Sequence, residues 1–270
     1  GFSRCTLMRR HSTIKTSQRG TLIFHKVHKF IKEREVFYMP VQFTKDPLPT
    51  KNQGERHIPA VLLVDTSGSM SGAPIEELNR GLREFGNALQ EDSLALGRAE
   101  VCIISFNSSV ETEMGFRPAV DYEAPTLSAS GLTSFNEAIQ AGLDAIESRK
   151  KEYKDQGVSY YRPWLFVLTD GAPTDTGLEA SAKSRLQDAI RNKKVTYMPM
   201  GIGDGADTRK LQEYYPDEAA AKPVLKADAK NFKEAFVWLS ASISLISKSD
   251  PNTTSQVNLP PTPSMITVGI

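Results

Sequence analysis

Asp65, Ser67 and Ser69 stand at alternate positions in the run Asp65-Thr66-Ser67-Gly68-Ser69, which follows a short apolar stretch. A second apolar stretch ends in Thr169-Asp170-Gly171, and between the two Gly131-Leu132-Thr133 leads into a helical pattern. Asp65, Ser67, Ser69, Thr133 and Asp170 all carry hard oxygen donors, and these segments contain neither His nor Cys. Two carboxylates with three hydroxyls suit Mg2+, or the similar Mn2+, which takes one or two carboxylates and keeps several waters. Hydroxyls are neutral ligands, so an ion held this way retains much of its charge and can accept another carboxylate from outside. Such a set functions only if the fold gathers distant parts of the chain.

The surrounding elements are of the kind that does so. Ile58–Asp65, Ala99–Phe106, Trp164–Thr169 and Val195–Ile202 are short β-rich apolar runs, the mark of strands buried on both faces. Pro223–Leu225 reads as a short last strand, and Val110–Phe116, with Glu111 and Glu113, as an edge strand in a hairpin. Pro74 suits the first turn of a helix in which Ile75, Leu78, Leu82, Phe85 and Leu89 share one face. Phe135, Ile139, Leu143 and Ile146 mark a second helix, and Leu178–Arg191 a third with Leu186 and Ile190 inward. Thr208–Tyr215 makes a short helix, and Phe232, Phe236, Leu239, Ile243 and Ile246 line the last one. The alternation predicts a doubly wound, Rossmann-like α/β fold. Its sheet is six-stranded and mostly parallel, with one antiparallel edge strand and helices on both faces. In such sheets ligands bind outside the carboxyl ends of the strands, where the five donors fall.

Of 270 residues, 39% are hydrophobic and 24% charged, which is ordinary for a globular protein. No apolar run approaches the roughly 20 residues of a membrane span, so no membrane association is expected. Cys5 and Cys102 cannot build a disulfide framework, which points to a reduced, cytoplasmic setting. Residues 1–38 form a basic leader with nine Lys or Arg against two Glu. It lacks aromatic interleaving or a groove-reading motif, so no nucleic acid partner is expected. Lys32-Glu33-Arg34-Glu35 can be encoded by purine-rich codons just before Met39, as a bacterial ribosome-binding stretch would be. The expectation is that translation starts at Met39 and that 1–38 is not native coding sequence. Residues 39–57 read as an extended lead-in, 56–250 as one domain, and 251–270 as a Pro-rich, loosely docked tail.

Plainer roles compete for several residues. Asp65 and the serines could cap the first helix, but a cap explains one hydroxyl rather than five donors on separate segments. Asp175 reads as a solvated loop carboxylate, Asn107 as a turn residue, and Cys102, Trp164 and Trp238 as packing. Gly201-x-Gly203-x-x-Ala206 has dinucleotide-fingerprint spacing but lies at the fifth strand before a short helix, so it reads as a tight turn. The domain's one histidine, His57, precedes the first strand and lies at the wrong end of the sheet to act as a base. No catalytic triad can be assembled. The expectation is a non-catalytic binding module, with a metal-dependent hydrolase on the same site as the alternative.

Asp65-x-Ser67-x-Ser69, Thr133 and Asp170, in this order, resemble the metal-ion-dependent adhesion site (MIDAS) of von Willebrand factor type A domains. The resemblance implies that Ser67, Ser69 and Thr133 ligate the ion through hydroxyls, with Asp65 and Asp170 acting directly or through water. It also implies a protein partner that supplies an Asp or Glu carboxylate. VLLVDTSGSMSGAPIEELN and VLTDGAPTD are similar to the stand-alone TerY-like proteins of bacterial tellurium-resistance clusters. That likeness implies a stress-response setting beside a protein kinase and a PP2C-type phosphatase, and the chain is expected to be a monomer. The leader departs from the pattern, being longer than the few residues usual in that group.

Overall fold

The apolar runs IPAVLLVD, AEVCIISF and WLFVLT are buried at every residue, because each forms an inner strand covered on both faces. The computed structural model describes residues 55–203, 205–217, 224–228, 232–248, 260–261 and 266–269. The leader 1–38, most of the lead-in and most of the tail lie outside the described residues. In chain order the strands and α-helices are β1 (Ile58–Asp65), α1 (Ala73–Glu91), α2 (Ser93–Arg98), β2 (Ala99–Phe106), β3 (Val110–Pro118), α3 (Phe135–Asp155), β4 (Trp164–Thr169), α4 (Glu179–Arg191), β5 (Thr196–Ile202), α5 (Thr208–Gln212), β6 (Val224–Ala227), α6 (Phe232–Lys248) and β7 (Ile266–Gly269). The sheet order is β3-β2-β1-β4-β5-β6-β7. β1 pairs in parallel with both β2 and β4, so the strand order reverses there and opens a crevice at the carboxyl edge.

Alternating side chains divide the core. Leu62 and Val64 of β1 face Leu82 and Phe85 of α1 and Phe236 and Ile243 of α6. Val61 and Leu63 face Phe135 and Ile139 of α3 and Leu186 of α4. Each fully buried aliphatic or aromatic side chain contributes about 1.5–3 kcal/mol, which fixes strand register and therefore the height of the loops.

The six expected strands are present, with β3 antiparallel to β2 at one edge. The sheet also gains a seventh strand where the sequence suggested only a loose tail. β7 runs antiparallel to β6, and the Trp238 indole N–H donates to the Pro260 carbonyl at 3.0 Å. α2 was not anticipated either; it is a single short helix whose first turn is capped by Asp92, which accepts from Leu94 N and Ala95 N.

The amino edge of the sheet holds a buried ionic cluster. Glu100 on β2 is fully buried, with Arg149 Nε of α3 at 2.7 Å. His57 Nδ1 sits 2.6 Å from the other Glu100 oxygen, off the axis of a well-aligned hydrogen bond. Burial alone would raise the Glu100 pKa, but His57 and the Arg149 charge outweigh it and hold the carboxyl below its ordinary value. Among the described residues, no helix is long and apolar enough to cross a membrane.

Candidate functional site

Val64 of β1 lies opposite Leu168 of β4, so Asp65 and Asp170 leave the same edge of the sheet side by side. Asp65 is fully buried. Its Oδ1 accepts from the Ser67 amide at 2.8 Å, and its Oδ2 accepts from the Thr169 hydroxyl. Burial pushes the Asp65 pKa up, the Thr169 and Ser67 hydrogen bonds partly offset this, and the Asp170 charge adds to the rise. Among the described residues, Asp65 and Asp170 show no ion pair with Lys, Arg or His.

The next residues fold back in a short 3₁₀ turn, Gly68–Met70, anchored by buried Met70. This sets Ser67 Oγ 3.0 Å from Ser69 Oγ, and Ser69 Oγ donates to Asp170 Oδ1 at 2.8 Å. Four of the five predicted residues therefore form one hydrogen-bonded chain. Thr133 flanks it: a Cβ placed on Gly171 would lie 3.5 Å from Thr133 Oγ1 and 3.9 Å from Ser69 Oγ. The loop carrying Thr133 is held close by Gly68 N donating to Gly131 O at 3.0 Å. Gly131 is required there, because its φ is +77° and a Cβ would meet Ser108 Oγ at 2.4 Å.

The capping alternative does not account for the serines. The N-cap of α1 is Gly72, and neither it nor Ser67 makes a side-chain cap bond. Oxygen pairs at 2.8 and 3.0 Å match the roughly 2.9 Å edge of an octahedron with metal–oxygen bonds of about 2.0–2.1 Å. Among the described residues, no three His, Cys, Asp or Glu side chains gather as a metal cluster. The donor set at this edge is thus one of hydroxyls with two carboxylates, a set that fits a hard divalent cation.

Other sequence readings are refined here. Asn107 accepts from Ser109 N at 3.0 Å, as a turn residue does, and Cys102 is buried in β2. Trp164 and Trp238 are both buried. Gly203, with φ +70°, follows β5 directly, and its N–H donates to Ala227 O of β6 at 2.8 Å. Asp175 requires correction: it is bound to α3 and not simply solvated. Its Oδ1 accepts from Asn136 Nδ2 at 3.0 Å and its Oδ2 from Glu137 N at 2.8 Å. Thr169 and Thr174 were also missed. Their partners lie 104 and 41 residues away, and no local pattern marks them.

The sequence model of the von Willebrand factor type A domain matches residues 60–236. No curated protein sequence matches significantly. Several solved structures share the fold. The von Willebrand factor type A protein from Catenulispora acidiphila is 17% identical with a TM-score of 0.52, over 70% of this chain and 43% of that one. The pilus adhesin SpaC from Lactobacillus rhamnosus GG is 14% identical with a TM-score of 0.56, over 72% and 31%. The vWF domain of the type V pili tip protein Mfa5 from Porphyromonas gingivalis is 12% identical with a TM-score of 0.50, over 74% and 99%. This chain therefore spans less than half of the first two proteins and nearly all of the third.

Proposed function

Since the chain belongs to the von Willebrand factor type A domain family, we propose that it is a non-catalytic, metal-dependent protein-interaction module. The observation that carries this reading is the chain Ser67–Ser69–Asp170 beside buried Asp65 at the carboxyl edge of β1 and β4. Mg2+ or Mn2+ would be held by Asp65, Ser67, Ser69, Thr133 and Asp170. The bound ion would supply a concentrated positive charge with a position open to a carboxylate. Three of the five donors are neutral hydroxyls, so only the two carboxylates offset that charge. An Asp or Glu on a protruding loop of another protein is the natural complement, because a charged ligand gains most in a partly dehydrated site. Gly72, Gly171, Ala172 and Pro173 border the site with small side chains that leave room for such a loop.

Among the described residues no His lies at this edge, and His57 sits beside Glu100 at the opposite edge. This supports binding over hydrolysis. The TerY-like likeness of VLLVDTSGSMSGAPIEELN and VLTDGAPTD extends the proposal to a bacterial cytoplasmic setting, with a kinase or PP2C-type phosphatase of a tellurium-resistance cluster as partner. Binding of such a kinase and phosphatase to wild type and Asp65→Ala, in Mg2+ and in EDTA, tests the reading. Capture by wild type in Mg2+ alone is expected. Equal capture in EDTA, or metal-dependent turnover of generic phosphate or ester substrates, would overturn it.

A further inference from the structure

Helix α3 begins two residues after Thr133, yet its own N-cap residue, Ser134, makes no side-chain cap bond. The missing cap arrives from another loop. Asp175 accepts from the Glu137 amide at 2.8 Å, in the first turn, where a carboxylate also complements the helix dipole. One residue earlier, Thr174 is tied to Thr133 three times. Its Oγ1 accepts from Thr133 N at 3.0 Å and donates to Thr133 O at 3.0 Å, and its N–H donates to Thr133 O at 2.9 Å. Asn136, fully buried, fastens the same loop from below. Its Nδ2 donates to the Asp175 carbonyl at 3.2 Å and to the Asp175 carboxylate at 3.0 Å, while its Oδ1 accepts from the Tyr214 hydroxyl on the turn after α5.

These bonds have one geometric consequence. The segment that begins with Asp170 and the segment that presents Thr133 cannot move independently. Without the ties, Thr133 and Asp170 belong to loops 37 residues apart in sequence, each free to follow its own strand or helix. We infer that Thr174 and Asp175 are positioning residues, a strap that fixes the separation of Thr133 from Asp170 and so sets the affinity of the site for its cation. The inference rests on the metal-binding reading proposed above. The strap touches neither the ion nor the partner; it acts through the two ligands it holds. Partners that orient ligands in this way are worth about 10–100-fold in metal affinity.

Mn2+ titrations by calorimetry on the full chain, with folding checked by circular dichroism in EDTA, decide the matter. Asp175→Ala removes the cap and a charge. Thr174→Val removes two of the three Thr133 ties at an exposed position, with no change of charge. Asp92→Ala removes a carboxylate cap from α2, together with its ion pair to Lys248, away from the site, and serves as the control. Both strap variants are expected to raise the Mn2+ dissociation constant about 10-fold or more, with the control unchanged within about twofold. Wild-type affinity in both strap variants would overturn the inference, leaving Asp175 as a helix cap only. A loss in Asp175→Ala with none in Thr174→Val would also overturn it, since charge and not position would then be responsible. A loss of the same size in the control would reduce the effect to general destabilisation. Absence of Mn2+ binding by wild type would instead remove the metal-binding reading, and the inference with it.

Discussion

Replacing Asp65 by Asn should make the protein no less stable without metal and clearly less stable with it. Asp65 is fully buried, and burial is the first cause of its raised pKa. The ionised side chain is therefore a burden on the fold unless a cation balances it. Asn is nearly isosteric. Its oxygen can still accept from Ser67 N, now at 2.8 Å, and its amide can donate to the Thr169 hydroxyl, which already accepts from Gly171 N at 3.2 Å. The exchange of a buried charge for a satisfied neutral group is expected to leave stability in EDTA unchanged or raise it by up to about 2 kcal/mol. Saturating metal reverses the order. At about 100 times its dissociation constant, a ligand stabilises by roughly 2.7 kcal/mol. For a domain of this size each kcal/mol shifts Tm by about 2–4 °C, so wild type should gain about 5–10 °C. Asp65→Asn should gain little. Calorimetric melts of both proteins in EDTA and in MgCl2 or MnCl2 would show the crossing. A loss above about 2 kcal/mol for the variant in EDTA would refute the reasoning, because Asp65 would then be a structural residue. A full metal shift in the variant would refute it equally.

At the amino edge, Arg149→Met should destabilise by about 3–5 kcal/mol in urea titrations at pH 7, since it leaves Glu100 buried without its cation. Because the Glu100 pKa is held down in the folded state, its contribution is present above the unfolded carboxylate pKa and is lost as pH falls through the lower folded value. The deficit of Arg149→Met should accordingly shrink as pH falls, because burial without the Arg149 charge makes Glu100 of the variant protonate earlier than in wild type, and a deficit independent of pH would contradict this. Removing residues 260–270 deletes β7 and the Trp238 hydrogen bond but leaves the six strands from β1 to β6. A loss of about 1–3 kcal/mol with an intact metal shift is expected from paired thermal melts, and loss of the metal shift would tie the added strand to the site.

The carboxyl edge of the sheet is readable in the sequence for a specific reason. Parallel strands buried on both faces are nearly uniform apolar runs, so the first polar residues after Val64 and Leu168 announce the carboxyl edge directly. Asp65, Ser67, Ser69 and Asp170 could be found that way, and Thr133 by its position just before a helical pattern. Contacts between distant loops left no such trace. Asp175 looks like any loop carboxylate, and the amide it caps belongs to a residue 38 positions earlier. β7 is four residues long and follows a proline-rich stretch, so period-2 alternation had too little length to register. α2 was hidden for the same reason, being six residues long. Glu100 lay inside an apolar strand, and its partner Arg149 is 49 positions later on α3.

The two edges of the sheet treat buried charge in opposite ways, and the contrast bears on how the molecule works. Glu100 is neutralised from within by Arg149, so the amino edge is complete without any ligand. Asp65 receives only hydrogen bonds among the described residues, so the carboxyl edge keeps an uncompensated negative charge in a low-dielectric setting. A cation entering there would relieve that cost, which would strengthen its binding. On the proposed reading, folding and metal affinity would be linked through one residue, while α1, α3 and the strands between the edges hold their positions through apolar packing. A partner's carboxylate would then meet an ion already fixed in place by β1, β4 and the start of α3. Little further ordering of the site would be needed on contact, which leaves more of the ion–carboxylate attraction available for affinity.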